Sequence, residues 1–146
     1  MSSDEAKAIA RELKTQGIIL GSLVAIFWIV EIVDLVFFQS QLDRYGIRPR
    51  SLIGLRGVLF APFLHGGIGH LIANTVPFIM LGWFVMLQET SDFFIVTAIT
   101  MAVSGLGVWL FGHAYSIHVG ASGLIFGYLG FLLFRGYFQR NIPSIL

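Results

Sequence analysis

The sequence predicts an all-α fold, a polytopic bundle of transmembrane helices, and two observations carry that expectation. Of its 146 residues 56% are hydrophobic and only 12% charged, with a mean hydropathy of +0.84. Soluble domains carry about 25% charged residues. In addition, apolar stretches recur along the chain, each near the ~20 residues that cross ~30 Å of hydrocarbon at about 1.5 Å per residue. The same composition excludes other classes. A formal net charge of +1 offers no electrostatic basis for binding nucleic acid. With no cysteine, disulfides and thiolate metal sites are ruled out. No repeat or low-complexity tract divides the chain, so one transmembrane domain over 17–146 is expected behind a polar segment at 1–16.

That segment, SSDEAKAIARELKTQ, is too acidic for the basic start of a signal peptide and reads as a short surface helix ahead of the membrane. Gly17 to Phe38 is long enough to span, although it contains Glu31 and Asp34. These two carboxylates stand one turn apart and are expected to face Arg44, Arg48, Arg50 and Arg56 of the following connection. A proton or ion path is the other use for such a pair. The connection itself is long, yet its GVLFAPFLH is apolar and too short to cross. Such a stretch rests in the interface, re-enters the membrane against protein, or is a plain loop with a few apolar residues. Gly69 to Leu87 forms a second span and Phe93 to Phe111 a wholly uncharged third. Val119 to Phe134 makes a slightly short fourth, and Asn141 to Leu146 the opening of a fifth. Lys7, Arg11 and Lys14 before the first span, with Arg135 and Arg140 after the fourth, favour an N-terminus inside. The arginines of the first connection oppose that orientation, and charge alone leaves it open.

Polar side chains inside the spans are the candidates for function. His70 and Asn74 lie four residues apart, hence on one helical face. An interhelical hydrogen-bonded pair is the plain account of them. Depth adds a second account. Fourteen residues separate Asn74 from Gln88 and thirteen separate Ser122 from Arg135, placing both groups ~20 Å from the same interface. A hydroxyl, an imidazole and a carboxamide then share one level, about 10 Å below the opposite surface. These groups suit acyl transfer: a serine attacks a carbonyl once a base takes its proton, and amide or imidazole N–H groups stabilise the oxyanion. Gly120 and Gly123 flank Ser122 in GASG, where small residues let a substrate backbone approach. Gly123 and Gly127 form a GxxxG pair that permits close contact with a neighbouring helix. Close packing alone, with Ser122 bonded to a backbone carbonyl, is the alternative for that motif.

Taken together, HGGIGHLIANT and GASG resemble the rhomboid family of intramembrane serine proteases, over about Leu59 to Gly130. The resemblance implies a rhomboid-like bundle of four spans plus the start of a fifth, with Ser122 as nucleophile. It implies His70, Asn74 and the Ser122 backbone N–H as the oxyanion hole, with His65, Gly120 and Gly123 in support. It further implies a cytoplasmic segment at 1–16, a partly embedded first connection, and transmembrane segments of other proteins as substrates, cut near the outer surface. The expected setting is a lipid bilayer, as a multi-pass protein of the plasma (inner) membrane, without cofactor or metal.

Two departures from the family pattern stand out. Arg56-Gly57 occupies the place where many rhomboids carry Trp-Arg, which leaves the anchoring of the first connection undefined. The family's general base is a histidine on its sixth helix, so the chain is expected to be a C-terminally incomplete rhomboid that lacks it. His113 and His118 read as ordinary loop histidines, and His65 as a partner of the embedded connection. No H-E-x-x-H string occurs, and only Asp34 is a candidate intramembrane aspartate, so the metallo- and aspartyl-protease types fit poorly. A non-catalytic rhomboid-like protein that binds transmembrane clients remains the first alternative. A transporter or metal-binding membrane protein using His65 and His70 is the second.

Overall fold

The computed structural model describes residues 2–141. Its elements are α1 (Ser3–Val33), a π-helical turn (Asp34–Phe38), 3-10 turns at Leu42–Tyr45 and Ile53–Arg56, α2 (Gly57–Phe60), a 3-10 turn at Ala61–Phe63, α3 (Ile68–Met86), α4 (Thr90–Phe111) and α5 (Ser122–Asn141). Three of them are long and apolar enough to cross a membrane: α1 with its π-helical extension, α3 and α4. The fourth expected span is α5, which starts three residues later than anticipated and runs seven further, to Asn141. Its length is sufficient, but Arg135, Gln139 and Arg140 make its last two turns polar. The fifth segment expected from Asn141 lies, beyond that residue, outside the described residues.

The N-terminal segment is not a separate short helix but runs on into the first span as one helix. Ser2 and Glu5 start α1 with a reciprocal capping box: Glu5 N–H donates to Ser2 Oγ at 3.2 Å, and Ser2 N–H to Glu5 Oε2 at 2.6 Å. From there the helix passes unbroken through Gly17, since one glycine disfavours helix by only about 1 kcal/mol. Gln16, at the expected boundary, is buried in the bundle. Its Nε2 donates to the Met86 carbonyl and to Thr90 Oγ1, each at 3.2 Å, while Trp83 Nε1 donates to its Oε1 at 3.1 Å. One amide thereby joins α1, the C-terminal end of α3 and the first residue of α4. At the same end Arg135 of α5 pairs with Asp92 of α4 at 3.7 Å.

Glu31 and Asp34 do not face the arginines of the first connection. They continue the stripe Gln16, Leu20, Phe27 along the buried side of α1 and into the π-helical turn, at successive spacings of four, seven, four and three residues. That periodicity turns both carboxylates into the bundle. Asp34 Oδ1 accepts the Leu42 N–H at 2.9 Å, and no ion pair joins either carboxylate to an arginine among the described residues. Arg56 and Arg44 instead lie over the Tyr45 ring, at 4.3 and 5.6 Å from its centroid.

Aromatic side chains fill the centre. Phe78 of α3 meets Phe27 of α1 at 5.0 Å, Tyr128 of α5 at 5.9 Å and Phe93 of α4 at 6.3 Å between ring centroids. The Tyr128 hydroxyl is hydrogen-bonded to Thr97 at 2.7 Å, so the one polar atom of that ring is satisfied. Between helices, small residues set the distances. Gly82 of α3 admits Leu20 and Phe93, Gly105 of α4 admits Val58 of α2, and Gly123 and Gly127 of α5 face Ser104 and Thr100 of α4. The GxxxG pair therefore packs on α4, as close-approach motifs do where lipid gives apolar side chains no reason to prefer one another. The first connection lies along α4, with Leu52, Ile53, Leu59 and Phe60 turned outward.

Gly127→Ala is expected to push α4 and α5 apart, because a methyl there would overlap Thr100 at its Cβ as well as its branches. Overpacking costs about 1–3 kcal/mol, more than the ~1 kcal/mol an alanine adds in helix propensity. The thermal midpoint in detergent should fall, and Thr100→Ala should recover part of the loss. A midpoint unchanged by Gly127→Ala would mean that the two helices do not meet there.

Candidate active site

Two glycines and a histidine ring begin the site. Gly67 precedes α3 with φ 114°, a backbone conformation that side chains rarely adopt. It lets the chain reverse so that Gly66 N–H reaches forward to His70 Nδ1 at 3.3 Å. With Nδ1 accepting, a neutral imidazole carries its proton on Nε2. Asn74 follows one turn later, buried, and its Nδ2 has no hydrogen-bond partner among the described residues. An unpaired buried amide donor costs about 1–3 kcal/mol.

The second half comes from the stretch ahead of α5. Gly120 also has positive φ, 110°, and its N–H donates to the Ala61 carbonyl at 2.8 Å. A Cβ on it would stand 2.7 Å from both Cε1 and Nε2 of His70 and 3.3 Å from Asn74 Nδ2. The two side-chain donors thus converge on the backbone two residues before Ser122. That serine is the first residue of α5, so its N–H is one of the helix's leading donors without an intrahelical acceptor. Half-buried, it lines a cavity of ≈ 210 Å³ with Ser104, His118, Gly120 and Gly123. No hydrogen bond ties down its hydroxyl among the described residues, the backbone carbonyl of the packing alternative included.

His65 takes a different place from the expected one. It is buried, its ring nitrogens have no hydrogen-bond partner among the described residues, and the nearby Phe63 backbone falls short of bonding geometry. The ring packs instead against Phe27 at 5.5 Å and edge-on against His70 at 5.4 Å. Burial, with His70 beside it, pushes the His65 imidazole down to about 4. Asp43 of the first connection lies close by. Burial and the Asp34 carboxylate raise its carboxyl above the ordinary range, and His70 pulls it the other way.

His118 lines the same cavity as Ser122 but is bonded elsewhere. His118 Nε2 is 2.7 Å from Ser116 Oγ, and its backbone pairs with Ile47 through two bonds of 2.9 Å. No hydrogen bond links His113 or His118 to Ser122 among the described residues. Gly120 is brought against His70 and Asn74, Ser122 follows two residues later in a cavity it shares with Gly120 and Gly123, and the His65 ring packs on His70. Two participants were hidden in the sequence. The paired glycines 66–67 were the one sign of the Gly66 donor, and nothing marks Ala61, which acts through its carbonyl.

Residues 54–145 match the Rhomboid domain family. The chain is 46% identical over 130 residues to the uncharacterized protein Rv1337 of Mycobacterium tuberculosis, covering 86% of this chain and 54% of that one. To the uncharacterized protein ML1171 of Mycobacterium leprae it is 40% identical over 130 residues, with coverage of 86% and 51%. It thus spans about half the length of these relatives. No solved structure matches it significantly.

Two outcomes follow from the geometry. Gly120→Ala should lower the thermal midpoint sharply, since the methyl meets the His70 ring and the residue must hold φ 110°; a parental midpoint would mean that the turn does not approach His70. The second concerns pH. Unfolded, His65 binds its proton below the ordinary 6.5, whereas folded it does so only near 4. Its contribution to stability is therefore complete above the first value and is lost as pH falls toward the second. Thermal midpoints of the parent and His65→Phe should converge or cross over that range, the parent falling more steeply. Parallel curves would show that the ring is accessible to protons in the folded state.

Proposed function

Because this chain belongs to the rhomboid family, we propose that it is the core of an intramembrane serine endopeptidase that cuts transmembrane segments of other proteins near the outer membrane surface. The observation that carries this reading is the convergence of His70 Nε2 and the unpartnered Asn74 Nδ2 on the Gly120 turn that leads into Ser122. In the proposed reaction Ser122 Oγ adds to a peptide carbonyl carbon and its proton passes to a base. His70 Nε2–H, Asn74 Nδ2–H and the Ser122 N–H receive the oxyanion. Collapse of the tetrahedral intermediate breaks the C–N bond, the amine leaves with a proton, and water then hydrolyses the acyl-serine ester.

Neither His113 nor His118 bonds to Ser122, so we place the base outside the described residues. The oxyanion donors act on charge that exists only in the transition state, and they therefore accelerate the chemical step more than they tighten substrate binding. The helices that hold these groups make the chain an integral membrane protein. We assign it to the plasma (inner) membrane, with its first sixteen residues on the cytoplasmic side.

In the full-length protein a fluorophosphonate probe should label Ser122, and Ser122→Ala should abolish labelling. His70→Ala and Asn74→Ala should each lower kcat by about 10- to 1000-fold with a smaller change in KM. Labelling that persists on another serine in Ser122→Ala would remove the nucleophile assignment. A full-length protein that binds transmembrane helices, resists the probe and cleaves nothing would establish the non-catalytic alternative instead.

A further inference from the structure

The last turn of α4 leaves carbonyl groups without helical donors, as every helix end does. Here they are taken by the first connection. Arg50 stands in a left-handed conformation, φ 55°, uncommon for a side chain of its size. In that conformation its N–H donates to the Trp109 carbonyl at 2.9 Å, and its guanidinium reaches the Leu110 and Gly112 carbonyls, each at 3.0 Å. Trp109 Nε1 donates in return to the Ser51 carbonyl at 2.8 Å. A cation at a helix C-terminus is also favoured by the macrodipole. The clasp fixes the start of the 112–121 stretch, and the same connection holds its later part: Ile47 pairs with His118, and Ala61 accepts from Gly120. Between Trp109 and Ser122, then, the chain is gripped at three points by one connection, which leads on to Gly66 and its bond with His70.

We infer that Arg50 is a positioning residue for the Ser122 turn: by fixing the first connection on the outer end of α4 it sets where Gly120 and Ser122 lie against His70 and Asn74. The role rests on the reading of Ser122 as nucleophile, and Arg50 itself touches no reacting atom. Both carbonyls are reached from one nitrogen, Nη1, so a lysine ammonium keeps part of the clasp, whereas the neutral glutamine amide loses the charge that suits a helix C-terminus. A displacement of about 1 Å at a reacting group costs about 100-fold in rate, so release of the clasp should act on turnover.

Two measurements test this. In the 146-residue chain in detergent, hydrogen exchange at the His118 and Gly120 amides should accelerate at least ~10-fold in Arg50→Gln and less in Arg50→Lys, as the turn gains freedom. Gln16→Ala, which loosens the opposite end, should lower the thermal midpoint and leave those two amides at the parental rate. In the full-length protein in liposomes, Arg50→Gln should lower kcat about 10- to 100-fold while KM stays within about threefold. Parental exchange at both amides in Arg50→Gln would overturn the inference. So would a kcat loss no greater than that of Gln16→Ala at a matched fall in midpoint. If the amides respond but wild-type protein is never labelled at Ser122, the mechanical link stands and the protease reading falls.

Discussion

One backbone crossing organises the molecule: Gly120 against the edge of α3. The chain there lies so close to His70 and Asn74 that no Cβ fits, and its N–H is bonded to Ala61 of the first connection. Three separate parts of the sequence thus meet within hydrogen-bonding distance of one residue without a side chain. The first connection has to lie on α4 for Ala61 to reach it. Gly66 and Gly67 have to reverse the chain for His70 to face it. The GxxxG face of α5 has to sit on α4 for the helix that follows it to start where it does.

Packing in a bilayer explains why glycine recurs at these contacts. Lipid tails are as apolar as leucine, so helices gain from close van der Waals fit and buried hydrogen bonds rather than from escape of apolar surface from water. Gly82, Gly105, Gly123 and Gly127 let backbones approach, and Gln16 and the Tyr128–Thr97 pair add buried polar contacts. The aromatic cluster around Phe78 fills the space that the glycines leave between four helices. Polar groups that gain nothing from this packing stand out against it. Asn74 Nδ2 and both nitrogens of His65 are buried without partners among the described residues, and they lie on either side of the His70 ring. The first has a use in the proposed reaction. The second keeps an uncharged aromatic wall behind His70, which suits a ring whose outward nitrogen has to donate.

Much of this was decided by the sequence alone. Hydrophobic runs mark α1, α3 and α4 at membrane length and α5 at slightly less, because a span must satisfy its backbone internally and clothe it in apolar side chains. The four-residue spacing of His70 and Asn74 puts them on one face by helical geometry, and counting rise per residue brings Ser122 to their level. Local patterning does not reach further than that. Whether a helix ends at Gln16 depends on what Gln16 meets, and Trp83, Met86 and Thr90 are 67, 70 and 74 residues away. Glu31 and Asp34 looked toward the arginines by proximity in sequence, but the stripe they share with Leu20 and Phe27 turns them inward. Only the tertiary structure could supply the Ala61 carbonyl, the Gly66 donor and the Arg50 clasp. Each of these contacts has a main-chain group on at least one side, so which partners meet is set by the path of the chain rather than by local sequence pattern.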